Sequence, residues 1–146
     1  MTRIALYQAN TGIDPAVNTD RLLDAVTEAA SGGAEMLFTP EMSGMLDRNR
    51  QRAAANVVTE RESEVLSAIA HAAKEHGIWV ALGSLAIRRE DGESRWANRS
   101  LVVGPDGTVA ARYDKIHMFD VDLTGDGGGE SWRESNGFSP GERVVT

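Results

Sequence analysis

The sequence predicts an α/β fold built on a mixed sheet. Two observations carry this prediction. Strand and helix patterns alternate over residues 4–76, and several strand patterns separated by turn signals follow them. Alternating strands and helices are typical of a layered α/β domain, and the later run of strands adds antiparallel pairs to the sheet. A chain of 146 residues that is 41% hydrophobic suits one domain with a substantial core.

The first half of the chain contains two strand patterns and two helix patterns in alternation. Asp14 is a good N-cap, and Pro15 after it suits the first position of a helix. Pro40 stops the second strand, and Gly77 suits the end of the second helix. The predicted segments are a strand at residues 4–7, a helix from Asp14 to residues 32–33, a strand at residues 36–38 and a helix at residues 63–76.

The second half of the chain is dominated by strand patterns. Residues 78–82 form a near-continuous apolar run, which is typical of a strand that is covered on both faces. Turn signals at residues 91–92 and 104–107 indicate hairpins between the strands. The glycine-rich stretch at residues 120–129 predicts an exposed loop. Further strands are predicted at residues 83–89, 97–103 and 109–113, and another from Glu142 onwards.

Composition excludes several classes of function. The 22 acidic residues outnumber the 15 basic ones, and a net charge of -7 opposes binding to nucleic acid or to an anionic membrane surface. No apolar run is long enough for a signal peptide or a membrane span, so we expect a soluble cytoplasmic protein. The absence of cysteine excludes disulfides, thiolate metal sites and a cysteine nucleophile supplied by these residues.

Phosphate and metal sites are poorly supported by the sequence. The glycines at residues 125–129 are not followed by the lysine of a phosphate loop, and Glu130 occupies the third glycine position of a dinucleotide fingerprint. A calcium loop that begins at Asp120 would need a glutamate at Ser131. A divalent metal site is a further alternative, although such residues are more often solvated or structural. Its ligands would be Asp114, His117, Asp120 and Asp122.

Two charged residues stand at the ends of predicted strands. Glu41 follows a buried strand in a proline-containing turn, where α/β folds place ligand chemistry, although a glutamate here is usually only a surface charge. Only Lys74 and Lys115 among the 15 basic residues are lysine. In a chain that otherwise uses arginine, Lys115 beside a strand end indicates a need for a compact ammonium group, although a solvated surface lysine is the ordinary alternative.

Together these segments resemble the carbon–nitrogen hydrolase, or nitrilase, superfamily. The stretch around Lys115 is the most specific of them, and residues 117–122 are most similar to the branch of ω-amidases and deaminated-glutathione amidases. The resemblance covers the whole chain, residues 1–146, and about the N-terminal half of a family domain. The segments that carry it are residues 4–8, the Pro40–Glu41 turn, and residues 113–122, 132–135 and 139–142.

The resemblance implies a fold and a set of catalytic residues. The fold is an α-β-β-α sandwich, of which this chain would form the N-terminal half, with a mixed sheet and helices on one face. The family uses a Glu-Lys-Cys triad. By matched position Glu41 would be the general base, Lys115 the cation that stabilises the tetrahedral intermediate, and Glu134 a second carboxylate that positions substrate and triad. The family cysteine lies shortly beyond an element like Pro140–Gly141, so we expect the natural protein to continue beyond Thr146.

The implied activity is hydrolysis of a small carboxamide, with an acidic remainder such as an ω-amide, to an acid and ammonia through a cysteine thioester. The resemblance implies no metal or organic cofactor, and the 146 residues alone should be inactive. The alternative is a non-catalytic half-domain that a second chain completes or that associates with itself. We expect either a homodimer or completion by the C-terminal half. A doubly wound nucleotide-binding domain is a weaker alternative, because no phosphate loop is present.

Overall fold

The computed structural model describes residues 1–122 and 131–145. Single 3₁₀ turns lie at Glu60–Glu62 and Glu134–Asn136. None of the helices in these two ranges is long and apolar enough to cross a bilayer. The elements are β1 (Ile4–Leu6), α1 (Pro15–Ser31), β2 (Met36–Phe38), α2 (Arg50–Ala53), α3 (Glu64–His76), β3 (Trp79–Ile87), β4 (Ala97–Val103), β5 (Val109–Asp114), β6 (Asp120–Asp122) and β7 (Ser131–Arg133).

The main sheet is mixed, as the sequence predicts. Its strand order is β1-β2-β3-β4-β5, with parallel pairing of β1 to β2 and β2 to β3, and antiparallel pairing of β3 to β4 and β4 to β5. The carboxyl ends of β2, β3 and β5 therefore lie at one edge of the sheet, together with the start of β4. This edge is where the sequence places Glu41, after β2, and Lys115, after β5.

Helices α1 and α3 lie side by side on one face of this sheet, which confirms the prediction of helices on one face. Val26 of α1 and Ile69 of α3 are fully buried against Leu37 and Val80 of the sheet. The helix ends follow the predicted signals. The Asp14 side chain accepts a hydrogen bond from the Ala16 N–H at 2.9 Å, and α3 ends at a left-handed glycine.

The opposite face of the sheet is apolar and exposed to solvent. Pairing of β1, β2 and β3 places Ile4, Leu6, Phe38 and Trp79 on this face, where they are 53%, 74%, 37% and 40% exposed. The prediction that residues 78–82 form a strand covered on both faces is therefore wrong for this chain. We call these four side chains the open face.

Two features of the middle of the chain differ from the prediction. Residues 78–82 and 83–89 belong mainly to the single strand β3, whose pairing with β4 shifts between Leu82 and Leu85. Gly83 lies inside β3, at a close approach to the backbone of Thr39 and Pro40. The short helix α2, capped by the Asn49 side chain, has no hydrophobic periodicity and was not predicted.

The C-terminal part also differs from the prediction. Residues 120–122, predicted as part of an exposed loop, form strand β6 and pair with β7. The rest of that loop, residues 123–129, lies outside the described residues. The strand predicted from Glu142 is not found, because residues 142–145 have no strand partner among the described residues. Thr146 also lies outside them.

Candidate active site

The turn that carries Glu41 is fixed to strand β3. Pro40 ends β2, and the Thr39 N–H still donates to the Ala81 carbonyl at 3.0 Å. Immediately after Glu41, Met42 has a left-handed backbone with φ 55°, which is uncommon for a residue with a side chain. The Ser84 side chain accepts a hydrogen bond from the Met42 N–H at 2.9 Å and thereby holds this turn. The backbone of Glu41 is thus anchored, while its side chain is 57% exposed.

Lys115 follows the end of β5 and is held through its backbone. Its N–H donates to the Asn98 carbonyl at 2.9 Å, and its own carbonyl accepts from the Gly141 N–H at 2.9 Å. A Cβ at position 141 would lie 2.2 Å from the Asp114 carbonyl oxygen, so only glycine permits this approach. The Pro140–Gly141 segment therefore runs directly beside Lys115.

Glu134 is placed by the β6–β7 hairpin. It follows β7 and starts a 3₁₀ turn, and its carboxylate accepts the Phe119 N–H at 2.7 Å. The Asp120 carboxylate fixes the same turn by accepting the Ser135 N–H at 3.0 Å. Only 10% of the Glu134 side chain is exposed.

The three side chains that the sequence selects meet at one point. The Lys115 Nζ donates to Glu41 Oε1 at 3.0 Å and to Glu134 Oε2 at 2.9 Å. It also donates to Glu134 Oε1 at 3.2 Å. One ammonium group thus joins two carboxylates that come from the loop after β2 and from the turn after β7.

A fourth polar side chain, which the sequence reasoning missed, completes this cluster. Asn98 lies in β4 and is 2% exposed, and its Nδ2 donates to Glu41 Oε1 at 2.7 Å and to Glu134 Oε1 at 3.1 Å. Its one signal in the sequence is an asparagine near the start of a strand, where this residue type is depleted. We refer to Glu41, Asn98, Lys115 and Glu134 as the polar cluster.

The environment keeps Lys115 and Glu134 ionised. Partial burial acts to lower the pKa of Lys115, but the hydrogen bonds and charges of Glu134 and Glu41 outweigh it and raise this pKa. Burial acts to raise the pKa of Glu134, but the Phe119 N–H, the Lys115 ammonium and the Asn98 amide outweigh it and lower that pKa. At neutral pH Lys115 is therefore a cation and Glu134 an anion.

The residues weighed as metal ligands do not form a metal site. Asp114 is paired with Arg99, Asp120 accepts from Ser135, and Asp122 accepts from Ser131 and Arg133. In residues 1–122 and 131–145, no group of three or more His, Asp or Glu side chains is arranged to hold a metal ion. The calcium and phosphate alternatives depend in part on residues 123–130, which are outside the described ranges.

A cavity of about 530 Å³ adjoins Glu134. Its wall includes Trp96, whose ring meets that of Phe138 edge to face and lies 4.9 Å from the guanidinium carbon of Arg50. Arg48 also lines this cavity and has no carboxylate partner among the described residues. The cavity thus combines apolar walls with positive charge next to the polar cluster.

We predict that Gly83→Ala destabilises the fold by displacing the turn that carries Glu41. A Cβ at Gly83 would lie 2.4 Å from the Thr39 carbonyl oxygen and 2.5 Å from the Pro40 carbonyl group. Overpacking against backbone should lower the free energy of unfolding by about 1–3 kcal/mol, measured by urea denaturation. Gly12→Ala is the control, because its Cβ would make only an ordinary 3.6 Å contact. Equal stability of the two variants would contradict the close approach.

The sequence matches the profile of one known family. The family described as carbon–nitrogen hydrolase matches residues 3–146. Deaminated glutathione amidase of Yersinia enterocolitica is 28% identical over 142 residues, which cover 97% of this chain and 48% of the relative. Omega-amidase NIT2 of Homo sapiens is 31% identical over 145 residues, which cover 99% of this chain and 49% of the relative. The chain spans about half the length of the curated relatives it matches.

Solved structures give the same picture. The C. elegans NitFhit protein superposes on 99% of this chain and 35% of its own, with a TM-score of 0.83 at 24% identity, which shows likeness of fold alone. An amidase of the nitrilase superfamily from Nesterenkonia AN1 is 29% identical, with a TM-score of 0.76 over 97% of this chain and 49% of its own. In one structure of that amidase, acrylamide is attached by Michael addition at the active site cysteine.

Proposed function

Because this chain belongs to the carbon–nitrogen hydrolase family, we propose that it is the N-terminal half of an amidase domain and supplies the catalytic site except for its nucleophile. The observation that carries this proposal is the Lys115 ammonium, which joins the Glu41 and Glu134 carboxylates at 3.0 Å and 2.9 Å. A general base and a fixed cation at one point are what acyl transfer from an amide requires.

Glu41 is the general base of the proposed reaction. Its Oε1 accepts hydrogen bonds from Lys115 and Asn98, whereas its Oε2 has no hydrogen-bond partner in the described part of the chain. A cysteine thiol from the second half of the domain gives its proton to Glu41 as the sulfur forms a bond to the amide carbon. Lys115 donates to the oxyanion of the tetrahedral intermediate.

The remaining steps return the proton and release the products. The protonated Glu41 gives its proton to the leaving nitrogen, so the C–N bond breaks, ammonia departs and a thioester remains. A water molecule then gives a proton to Glu41 as its oxygen attacks the thioester carbon. The C–S bond then breaks as Glu41 gives this proton to the departing sulfur, which releases the carboxylic acid and restores the thiol and the Glu41 carboxylate. No step requires a metal or an organic cofactor.

The course of the chain supports a nucleophile from the following segment. The Gly141 N–H binds the Lys115 carbonyl at 2.9 Å, so the residues after Gly141 start beside the polar cluster. Residues 142–145 have no assigned secondary structure and no strand partner among the described residues. A strand that continues from them would begin within a few residues of Gly141, the residue whose backbone binds that of Lys115.

The proposed substrate is a small carboxamide with an acidic remainder. The cavity of about 530 Å³ beside Glu134 has room for a small amide. Arg48 and Arg50 line it, and neither is paired with a carboxylate among the described residues. Guanidinium groups favour carboxylates, which supports an ω-amide of a dicarboxylic acid as the substrate class.

The open face needs a partner. A contiguous apolar surface of Ile4, Leu6, Phe38 and Trp79 is unfavourable in water. We propose that the second half of the family domain covers it, and a homodimer through this face is the alternative. A non-catalytic half-domain that uses the face only for assembly is the rival function. Native mass spectrometry of the chain distinguishes a self-associated form from one bound to a second, cysteine-containing polypeptide.

Ammonia release tests the proposed function. We expect no turnover of small ω-amides by the 146-residue chain above that of its Lys115→Ala variant, because no thiol is present to form the thioester. We expect turnover by the completed polypeptide, by which we mean this chain continued beyond Thr146 by the second half of a family domain. Turnover by the chain alone would refute the thioester mechanism. An inactive but folded completed polypeptide would favour the non-catalytic half-domain.

A further inference from the structure

We propose that Asn98 is a positioning residue, whose side-chain amide holds the Glu41 and Glu134 carboxylates in place on either side of Lys115. The inference rests on the proposed function, since it assigns Asn98 to the same reaction. Its starting point is a side chain that is 2% exposed and whose only side-chain donor group faces two carboxylates.

The four side chains close a ring of hydrogen bonds. Lys115 Nζ and Asn98 Nδ2 each donate to Oε1 of Glu41, at 3.0 Å and 2.7 Å. The same two nitrogens each donate to Oε1 of Glu134, at 3.2 Å and 3.1 Å. Each Oε1 atom is therefore held by one charged donor and one neutral donor.

The chemistry of an asparagine amide fits this position. The amide NH₂ has two N–H groups, one for each carboxylate, and adds no charge. The amide orientation follows from the acceptors, because ionised carboxylates cannot donate a hydrogen bond to the amide oxygen. An aspartate would add a third negative charge, and an apolar side chain would leave both Oε1 atoms with Lys115 as their only cluster donor.

This arrangement has a consequence for the proposed reaction. Lys115 has three N–H groups, and it must turn one of them toward the developing oxyanion. While it does so, its hold on the carboxylates weakens. Asn98 does not take part in bond making and lies on the rigid strand β4, so it keeps Oε1 of Glu41 occupied and leaves Oε2 for the thiol proton.

Titration of Glu134 in the 146-residue chain tests the positioning role without any activity. Asn98→Leu removes both N–H donors but keeps the number and branching of the side-chain heavy atoms. It is expected to raise the pH at which Glu134 titrates, followed by ¹³C NMR of its carboxyl group, by about one unit. Asn98→Ser keeps one donor and should give a smaller shift. Asn18→Leu is the matched control, because Asn18 is 3% exposed but binds only backbone groups of Gly12 and Gly44.

An unchanged Glu134 titration in a folded Asn98→Leu or Asn98→Ser chain would overturn the proposal, as would an equal shift in Asn18→Leu. In an active completed polypeptide, we expect Asn98→Leu to lower kcat about 10–100-fold with little change in KM, and to move the acidic limb of kcat/KM to higher pH. A rise in KM with an unchanged kcat would contradict a positioning role. If the NMR shift occurs while the completed polypeptide hydrolyses no amide, the proposed function fails and the structural role of Asn98 stands.

Discussion

Lys115→Met is expected to abolish amide hydrolysis by the completed polypeptide, with a loss in kcat of at least about 10³-fold. Methionine preserves the length and the apolar stem of the side chain but supplies no donor for the oxyanion. It also leaves Glu41 and Glu134, which now share one ammonium group, without a cation between them. Ammonia release from a small ω-amide measures the loss.

The same substitution should destabilise the 146-residue chain by about 2 kcal/mol at neutral pH, because it leaves the largely buried Glu134 charge without its cation. In the parent chain the pKa of Glu134 is lowered, so this stability is present above the ordinary value of 4.5 and is lost as the pH falls through the folded-state pKa. In Lys115→Met, burial and the Glu41 charge should raise the pKa of Glu134. The deficit should therefore start to shrink above pH 4.5, as the pH falls through the raised pKa of Glu134 in the variant, and shrink further below 4.5 as the parent loses its own stabilisation.

The chain provides a matched control for this experiment. Lys74 is the other lysine, and it lies exposed in the last turn of α3. Lys74→Met should leave both activity and the pH dependence of unfolding close to those of the parent. Urea denaturation at a series of pH values measures the stability of each variant. Equal deficits in the two lysine variants would contradict the role assigned to Lys115.

Glu41→Gln is expected to separate activity from stability. The glutamine oxygen can still accept from Lys115 and Asn98, but the side chain can no longer take a proton from a thiol at neutral pH. We expect activity of the completed polypeptide to fall about 10²–10⁴-fold, as for loss of a general base. The free energy of unfolding should change by less than about 1 kcal/mol, because the Glu41 side chain is 57% exposed.

The control for Glu41→Gln is Glu75→Gln, at an exposed glutamate in α3. This variant should keep full activity, which separates the loss of a particular base from the loss of one negative charge. A Glu41→Gln polypeptide that retains more than about a tenth of the parent's activity would be incompatible with Glu41 as general base.

Much of the fold could be predicted from local patterns. Helices α1 and α3 have apolar stripes, side-chain N-caps at Asp14 and Ser63, and glycine after their last residues, so their bounds follow from the chain itself. The hairpin of β6 and β7 could not be predicted in this way. Each of its strands has three residues with one apolar residue in the middle, which is too short for alternation to mark a strand.

The polar cluster likewise contains residues that the sequence predicts and one that it does not. Glu41 and Lys115 each follow a predicted strand, and the two strands end at the same edge of the sheet. The predicted order of strands therefore already indicates that these two residues lie close together. Asn98 lies beside them because of the register in which β4 pairs with β5. Antiparallel pairing of β4 with β5 places Asn98 beside Lys115, where their backbones share a hydrogen bond of 2.9 Å. No local signal in the sequence sets that register.

For the open face, the sequence pattern predicts more burial than the structure of this chain shows. The apolar run at residues 78–82 correctly predicts a strand, and its composition indicates cover on both faces. In this chain the helices cover one face, and Trp79 on the other face is 40% exposed. The apolar pattern therefore indicates a second covering layer that α1 and α3 do not provide. This agrees with the proposal that the second half of the domain covers the open face.

The most direct test of the central claim is the position of the nucleophile in a crystal structure of the completed polypeptide. The claim is that the polar cluster of this chain serves a thiol supplied from beyond Thr146. We expect a cysteine Sγ within about 4 Å of Glu41 Oε2 and facing Lys115 Nζ, which is the reach that proton transfer requires. A structure in which every cysteine lies outside this cleft, with Glu41 and Lys115 facing away from it, would contradict the claim.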